Sequence, residues 1–346
     1  MDFSLLRRYL SEIVVLTSLI LGFGGALAQP ASATGPALTA EDRAKAPLFV
    51  LNSLDATISV IDPVTWTETR RIPTGKEPHH LYLTPDEKSL IVANALADSL
   101  TLIDPRTAQI QRVIPNILDP YQLRFSPDMK WFVTVANRLN HVDIYRWEGK
   151  DPVLVKRIAT GKTPSHTWID SKSTTMYATM QDSNEMIAVD LATQTLKWRV
   201  GTGELPADIY VTPDDRFALI GMTGGNGVEV YDVTQNPARK VNFIPTGDGA
   251  HAFRVLGDKR HIFVSNRVAN TISMIDFHAM KVVSQLPAPG GPDCMDVSAD
   301  GRFIFVASRW IKKVSVIDIA ERKVVRQIPV GKSPHGVWTL NHAPRL

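Results

Sequence analysis

A single cysteine, Cys294, serves a chain of 346 residues, so no internal disulfide can form and stability must come from a packed core. Net charge is also small: 38 Lys and Arg against 35 Asp and Glu leave +3. With no long basic run, the chain carries no electrostatic footprint for nucleic acid or an anionic membrane surface. Nucleophile motifs, phosphate-binding loops and histidine pairs at helical spacing are missing. The glycine-rich stretch 221–227 has neither a Lys-Ser/Thr ending nor a following helix, so hydrolase and nucleotide chemistry have no support from motifs. What remains is ordinary globular composition, 44% hydrophobic and 21% charged, which excludes a disordered or membrane-embedded chain.

The N-terminus departs from that average. Arg7 and Arg8 precede an apolar run over 13–27, and Ala26-Leu27-Ala28 stands before Gln29. A basic start, an apolar middle and a small-x-small end describe a secretory signal peptide. The expected boundaries are a signal peptide at 1–28, a linker at 29–47 and one structural domain at 48–346. No stop-transfer charges follow, so the expectation is cleavage without a stable membrane anchor, and a periplasmic or secreted protein. Arg7 and Arg8 cancel Asp2 and Glu12, so the mature chain keeps its net charge.

The domain is repetitive. A β-branched segment ending at a fixed position recurs at residues 62, 104, 146, 190, 232, 276 and 318, spaced 42 or 44 apart, with Asp at every copy except Arg146. Each unit reads as four short strands of period-two alternation. Pro-Asp or Asp-Gly turns separate the first two strands, as at Pro85-Asp86 and Asp300-Gly301, because these residues reverse the chain at little conformational cost. Four-stranded units that cannot bury both faces alone close radially. The predicted fold is therefore all-β, a seven-bladed β-propeller with four-stranded antiparallel blades. The chain enters on a second strand near Phe49 and ends on an orphan first strand near 336–340, so the ring should close by pairing the C-terminal strand into the first blade.

Three motifs carry a family resemblance: Phe-Val-x-Asn at 49–52 and 263–266, hydrophobic-x-Val-Ile-Asp at 58–62 and 314–318, and Ile-Pro-Thr/Val-Gly-Lys-x-Pro at 72–78 and 328–334. Over residues 48–340 the chain resembles the YVTN-repeat β-propeller family. The resemblance implies the fold; members differ in function, so it implies no one ligand.

At the start of each innermost strand that family keeps small residues, and here this chain differs. The position after the proline slot holds His79, Tyr121, Ser165, Ala207, His251, Asp293 and His335; the next holds His80, Gln122, His166, Asp208, Ala252, Cys294 and Gly336. Five of the nine histidines fall in this window, and in a propeller equal repeat positions converge around the axis. His79, His80, His166, His251, His335 and Cys294 are thus candidate ligands for a transition metal, copper, zinc or iron, since imidazole suits all three and thiolate favours copper or zinc. The layout is similar to the copper-cluster site of nitrous oxide reductase, another propeller with histidines on its axis, although this chain has no cupredoxin domain. The competing reading makes these residues the polar lining of a solvated funnel.

Two residues further on stand Arg124, Trp168, Tyr210, Arg254 and Trp338. Strict alternation would turn them to the same side, where guanidinium and aromatic faces suit a small anionic planar cofactor of quinone or haem type. Alternatively Arg124 pairs with Asp208 or Asp296 and the aromatics plug the channel. The loops joining second to third strands frame the same mouth and add Arg309 and Trp310. The functional expectation is a periplasmic binding or scaffold propeller whose top face takes a metal ion, a small anionic ligand or a protein partner. The alternative is a propeller enzyme, metal-dependent and redox-active or lactonase- or lyase-like, using the rim histidines.

Overall fold

The computed structural model describes residues 39–149 and 151–345. The expected signal peptide and residues 29–38 of the linker lie outside them. The rest of the linker forms a six-residue helix, Ala40–Lys45, capped reciprocally by Thr39 and Asp42. Among the described residues no helix is long and apolar enough to cross a membrane.

Seven antiparallel sheets of four strands follow, each built from strands consecutive in the chain except the first. There Leu48–Asn52, Thr57–Ile61 and Glu68–Pro73 are joined by the C-terminal Pro334–Thr339, which pairs with the first of them in the register Leu48↔Thr339, Phe49↔Trp338 and Val50↔Val337. The ring is closed as expected. Adjacent sheets bury apolar faces on each other: Phe49, Leu51 and Trp338 of the first blade pack with Leu90 and Val92 of the second.

The repeated residues have local reasons. The aspartates at the ends of the third strands accept backbone N–H groups from the turns that follow: Asp62 from Val64 and Thr65, Asp104 from Arg106 and Thr107, Asp276 from His278 and Ala279. Such Asx turns replace backbone partners that the reversal removes. Arg146 has no such role; its strand runs on to Trp147, and the reversal that follows has Gly149 in the left-handed region at φ 76°. The buried asparagines of the family motif tie loops to strands. Asn52 donates to Ser59 and accepts from the Gly331 amide, while Asn94 donates to Thr101 and accepts from Thr74. A Cβ on Gly331 would fall 2.5 Å from the Asn52 side chain, so only glycine allows that approach.

These ties deliver the chain to the axis in one way seven times. The residue before each proline slot is left-handed, with φ between 43° and 78°: Glu77, Asp119, Thr163, Leu205, Gly249, Gly291 and Ser333. Five of the seven are not glycine, and this conformation costs an L-residue about 1–2 kcal/mol. Surrounding hydrogen bonds hold it: the amides of Ala95, Gln181, Thr223, Arg267 and Arg309 donate to the carbonyls of Glu77, Thr163, Leu205, Gly249 and Gly291.

Candidate functional site

Seven innermost strands begin at this turn, Pro78–Leu83, Pro120–Phe125, Pro164–Ile169, Pro206–Val211, Ala250–Val255, Pro292–Val297 and Pro334–Thr339. Their pairing with the second strands is interrupted where the candidate residues lie, between Pro78 and Leu81, Pro164 and Thr167, Ala250 and Phe253, and Pro292 and Met295. Such a bulge breaks the alternation of side chains. Neighbours in sequence therefore meet in one cluster: the Nδ1 atoms of His79 and His80 are 2.9 Å apart, and Asp293 and Cys294 both reach the ring of His335.

The structure gathers all six predicted metal donors around the axis. His80 Nε2 lies 3.2 Å from His166 Nε2 and 3.9 Å from Cys294 Sγ, and Cys294 Sγ is 3.6 Å from His335 Nδ1. The His79 ring stacks between Tyr121 and His335, with centroids 3.8 and 3.6 Å away. His79, His166, His251, Asp293 and His335 are all buried, so the axis at this level is packed with side chains rather than open as a funnel. A cleft of about 740 Å³ between the fifth and sixth blades, lined by Thr212, Phe217, Arg239 and Phe277, contains none of them.

Within the cluster one group stands apart. His251 Nε2 and His335 Nε2 each lie 3.4 Å from Asp293 Oδ1, and these three buried atoms have no hydrogen-bond partner. The far side of each group is engaged. His335 Nδ1 is 2.9 Å from the His79 carbonyl; a carbonyl only accepts, so Nδ1 carries the proton. Thr223 donates its hydroxyl to the Ala250 carbonyl at 3.2 Å and stands 3.0 Å from His251 Nδ1, which then donates to it. Asp293 Oδ2 accepts from Arg309 at 3.0 Å and from Arg267. Two imidazoles are thereby fixed in the tautomer that leaves Nε2 a lone pair, and both point at the remaining carboxylate oxygen.

Electrostatics holds these forms. Burial pushes the pKa values of His251 and His335 well below the ordinary imidazole value, and burial likewise takes His80 and His166 down to about 3. Burial opposes ionisation of Asp293, but the Arg267 guanidinium, with that of Arg309, outweighs it and keeps the carboxyl well below its usual range. Burial, with Asp293 beside it, raises Cys294 well above an ordinary thiol, which keeps it protonated. Gly336 permits the close approach of the terminal strand, since a Cβ there would stand 2.8 Å from the His79 carbonyl.

Asp293 was visible in the sequence as an acidic member of the ring, but was not among the six residues named as metal ligands. Arg267 and Thr223 were not singled out; both occupy, with Arg309, the first position after a second strand, and that shared register was the signal available.

The second predicted set is divided between two kinds of surroundings. Arg124 donates to the Thr167 carbonyl at 2.9 Å and lies 4.1 Å above the Trp168 ring, which meets Tyr210 edge-on at 4.9 Å. Trp338 packs on Phe49 between blades. Arg254 is buried against Asp296 at 2.8 Å and donates to the Ala343 and Pro344 carbonyls. Three of the five thus form one stack and the other two lie elsewhere, because the bulge shifts these positions from the axis toward blade-to-blade packing.

A family model, the YNCE-like β-propeller, matches residues 11–345. No curated protein matches the sequence. Solved structures share the fold. A functionally unknown protein from Desulfotomaculum acetoxidans is 17% identical, with a TM-score of 0.72 over 85% of this chain and 98% of that one. The periplasmic gluconolactonase PpgL of Pseudomonas aeruginosa is also 17% identical, with a TM-score of 0.71 over 87% and 99%. Dihydro-heme d1 dehydrogenase NirN is 14% identical, with a TM-score of 0.67 over 91% and 79%. At such identities the likeness concerns architecture alone.

Proposed function

The chain belongs to the YNCE-like β-propeller family, and from that premise we propose that it is an exported binding propeller that holds a divalent first-row transition metal on its axis through His251, His335 and Asp293. One observation carries the reading: three buried acceptor atoms converge and no donor serves them. Lone pairs facing a carboxylate oxygen at 3.4 Å repel one another, and leaving buried polar atoms unpaired costs about 1–3 kcal/mol each. A water molecule has two hydrogens for three acceptors. A cation satisfies all three, and donors about 3.4 Å apart are what tetrahedral bonds of about 2.1 Å require.

The surroundings support the same reading. Ligating histidines characteristically donate their other ring nitrogen to a carbonyl or comparable group, as His335 does to His79 and His251 to Thr223. Two imidazoles and one carboxylate suit iron(II) or zinc. The protonated Cys294 lies behind the His335 ring, at its Nδ1 edge, so it belongs to the lining of the site. Export rests on the basic, apolar and small-residue segments of 1–28.

Elemental analysis of protein purified from its native compartment, followed by calorimetric titration of the chelator-stripped protein with iron(II), zinc and copper, tests this. One equivalent should bind, and the His251→Ala/His335→Ala double variant should not bind it. Wild-type binding no tighter than that of the double variant would refute the reading.

A further inference from the structure

Two arginines share the one carboxylate of this centre. Arg267 and Arg309 both place a guanidinium on Asp293 Oδ2, and among the described residues neither has another ion-pair partner. His251 and His335 are neutral by their hydrogen bonding, and Arg124 and Asp208, a further guanidinium and carboxylate that attract each other without a direct ion pair, add no net charge. One carboxylate against two guanidiniums leaves one net positive charge, and a divalent ion would bring it to three. In a place withdrawn from water such an excess is costly unless an anion accompanies it. The arginines therefore weaken the site for a bare cation and suit it for a cation that arrives with an anion.

Their placement agrees with that demand. Both follow second strands and so stand on the face where the innermost strands begin, tied there by their amides to Gly249 and Gly291. Their side chains are 19% and 28% exposed, whereas Asp293 is fully buried, so they occupy the border between solvent and the metal position. Arg267 Nε is buried without a partner, a donor still unused. Three protein donors leave a transition metal with an exchangeable position, and a guanidinium matches the two oxygens of a carboxylate.

Resting on the metal reading above, we infer that the metal is held together with a small carboxylate anion, one oxygen on the metal and the other on Arg267 and Arg309. Metal and anion then bind with mutual reinforcement, each tightening the other by the same factor.

Zinc, as a redox-inert probe, would be titrated into the chelator-stripped mature protein alone and with acetate, acetamide or sulfate. Acetate should tighten zinc binding about tenfold, within the usual range of coupling between two ligands, while acetamide, of similar shape without charge, and sulfate should not. Arg309→Gln should abolish the acetate gain, and Arg309→Lys should restore part of it. Equal zinc affinity with and without acetate, an undiminished gain in both Arg309→Gln and Arg267→Gln, or an equal gain from sulfate would overturn the carboxylate assignment while leaving the metal reading intact. Failure of zinc, iron(II) and copper to bind under any of these conditions would instead remove the metal reading on which it rests.

Discussion

Asp293 and Asp296 stand three residues apart on one strand, both fully buried and each gripped by two arginines, yet their surroundings differ in kind. Around Asp296 every acceptor is used. Oδ1 takes Arg254 and the Val297 amide, while Oδ2 takes Arg345 and the Thr339 amide. The C-terminal residues complete the seal, Ala343 and Pro344 accepting from Arg254 and the Ala343 amide pairing with Val297. Around Asp293 both arginines crowd one oxygen and the other faces two imidazole lone pairs. A buried polar group with all its partners is structural; one with a spare acceptor aimed at other spare acceptors is prepared for something that arrives later.

The comparison can be broken by exchanging the two roles. The largest effect should come from Asp296→Ala, which leaves Arg254 charged, buried and unpaired; stability in urea denaturation should fall by about 3–5 kcal/mol. Asp293→Ala should instead lower metal affinity at least about 100-fold, the upper end of what a lost outer partner costs, while the midpoint of the metal-free protein falls far less than in Asp296→Ala. Matching losses of stability in the two variants would erase the distinction between the sites. A smaller change sharpens it: Thr223→Ala frees the His251 tautomer and should weaken metal binding about tenfold, read by calorimetry against unchanged circular dichroism. Smallest of all, Cys294→Ala should leave the metal stoichiometry at its wild-type value, because the thiol lies outside the converging atoms.

The legibility of this molecule followed its periodicity. Asp62, Asp104, Asp190, Asp232, Asp276 and Asp318 announce blade boundaries because each meets the same local need, to cap a turn after a third strand. Phe49-Val-Leu-Asn52 and the orphan C-terminal strand announce the closure for the same reason, an unfilled place in a repeated sheet. The gathering of His79, His80, His166, His251 and His335 was equally readable, since equal repeat positions must converge on a closed ring. The second set, Arg124 to Trp338, was placed by assuming unbroken alternation. The bulge after each proline slot invalidates that step, and it arises from left-handed turns and loop-to-loop hydrogen bonds that no residue type advertises at Glu77, Leu205 or Ser333.

By itself the sequence determined the seven blades, their closure and the concentration of imidazoles at one level of the axis, because these depend on repetition and strand chemistry, which are local. Only the tertiary structure decided which of those imidazoles act together. The choice lies in which ring nitrogen meets the carbonyl of His79 or the hydroxyl of Thr223, and in which oxygen of Asp293 the arginines leave free. Apart from Arg309 on Asp293, those contacts join residues from different blades, and their directions are set by the way the blades pack.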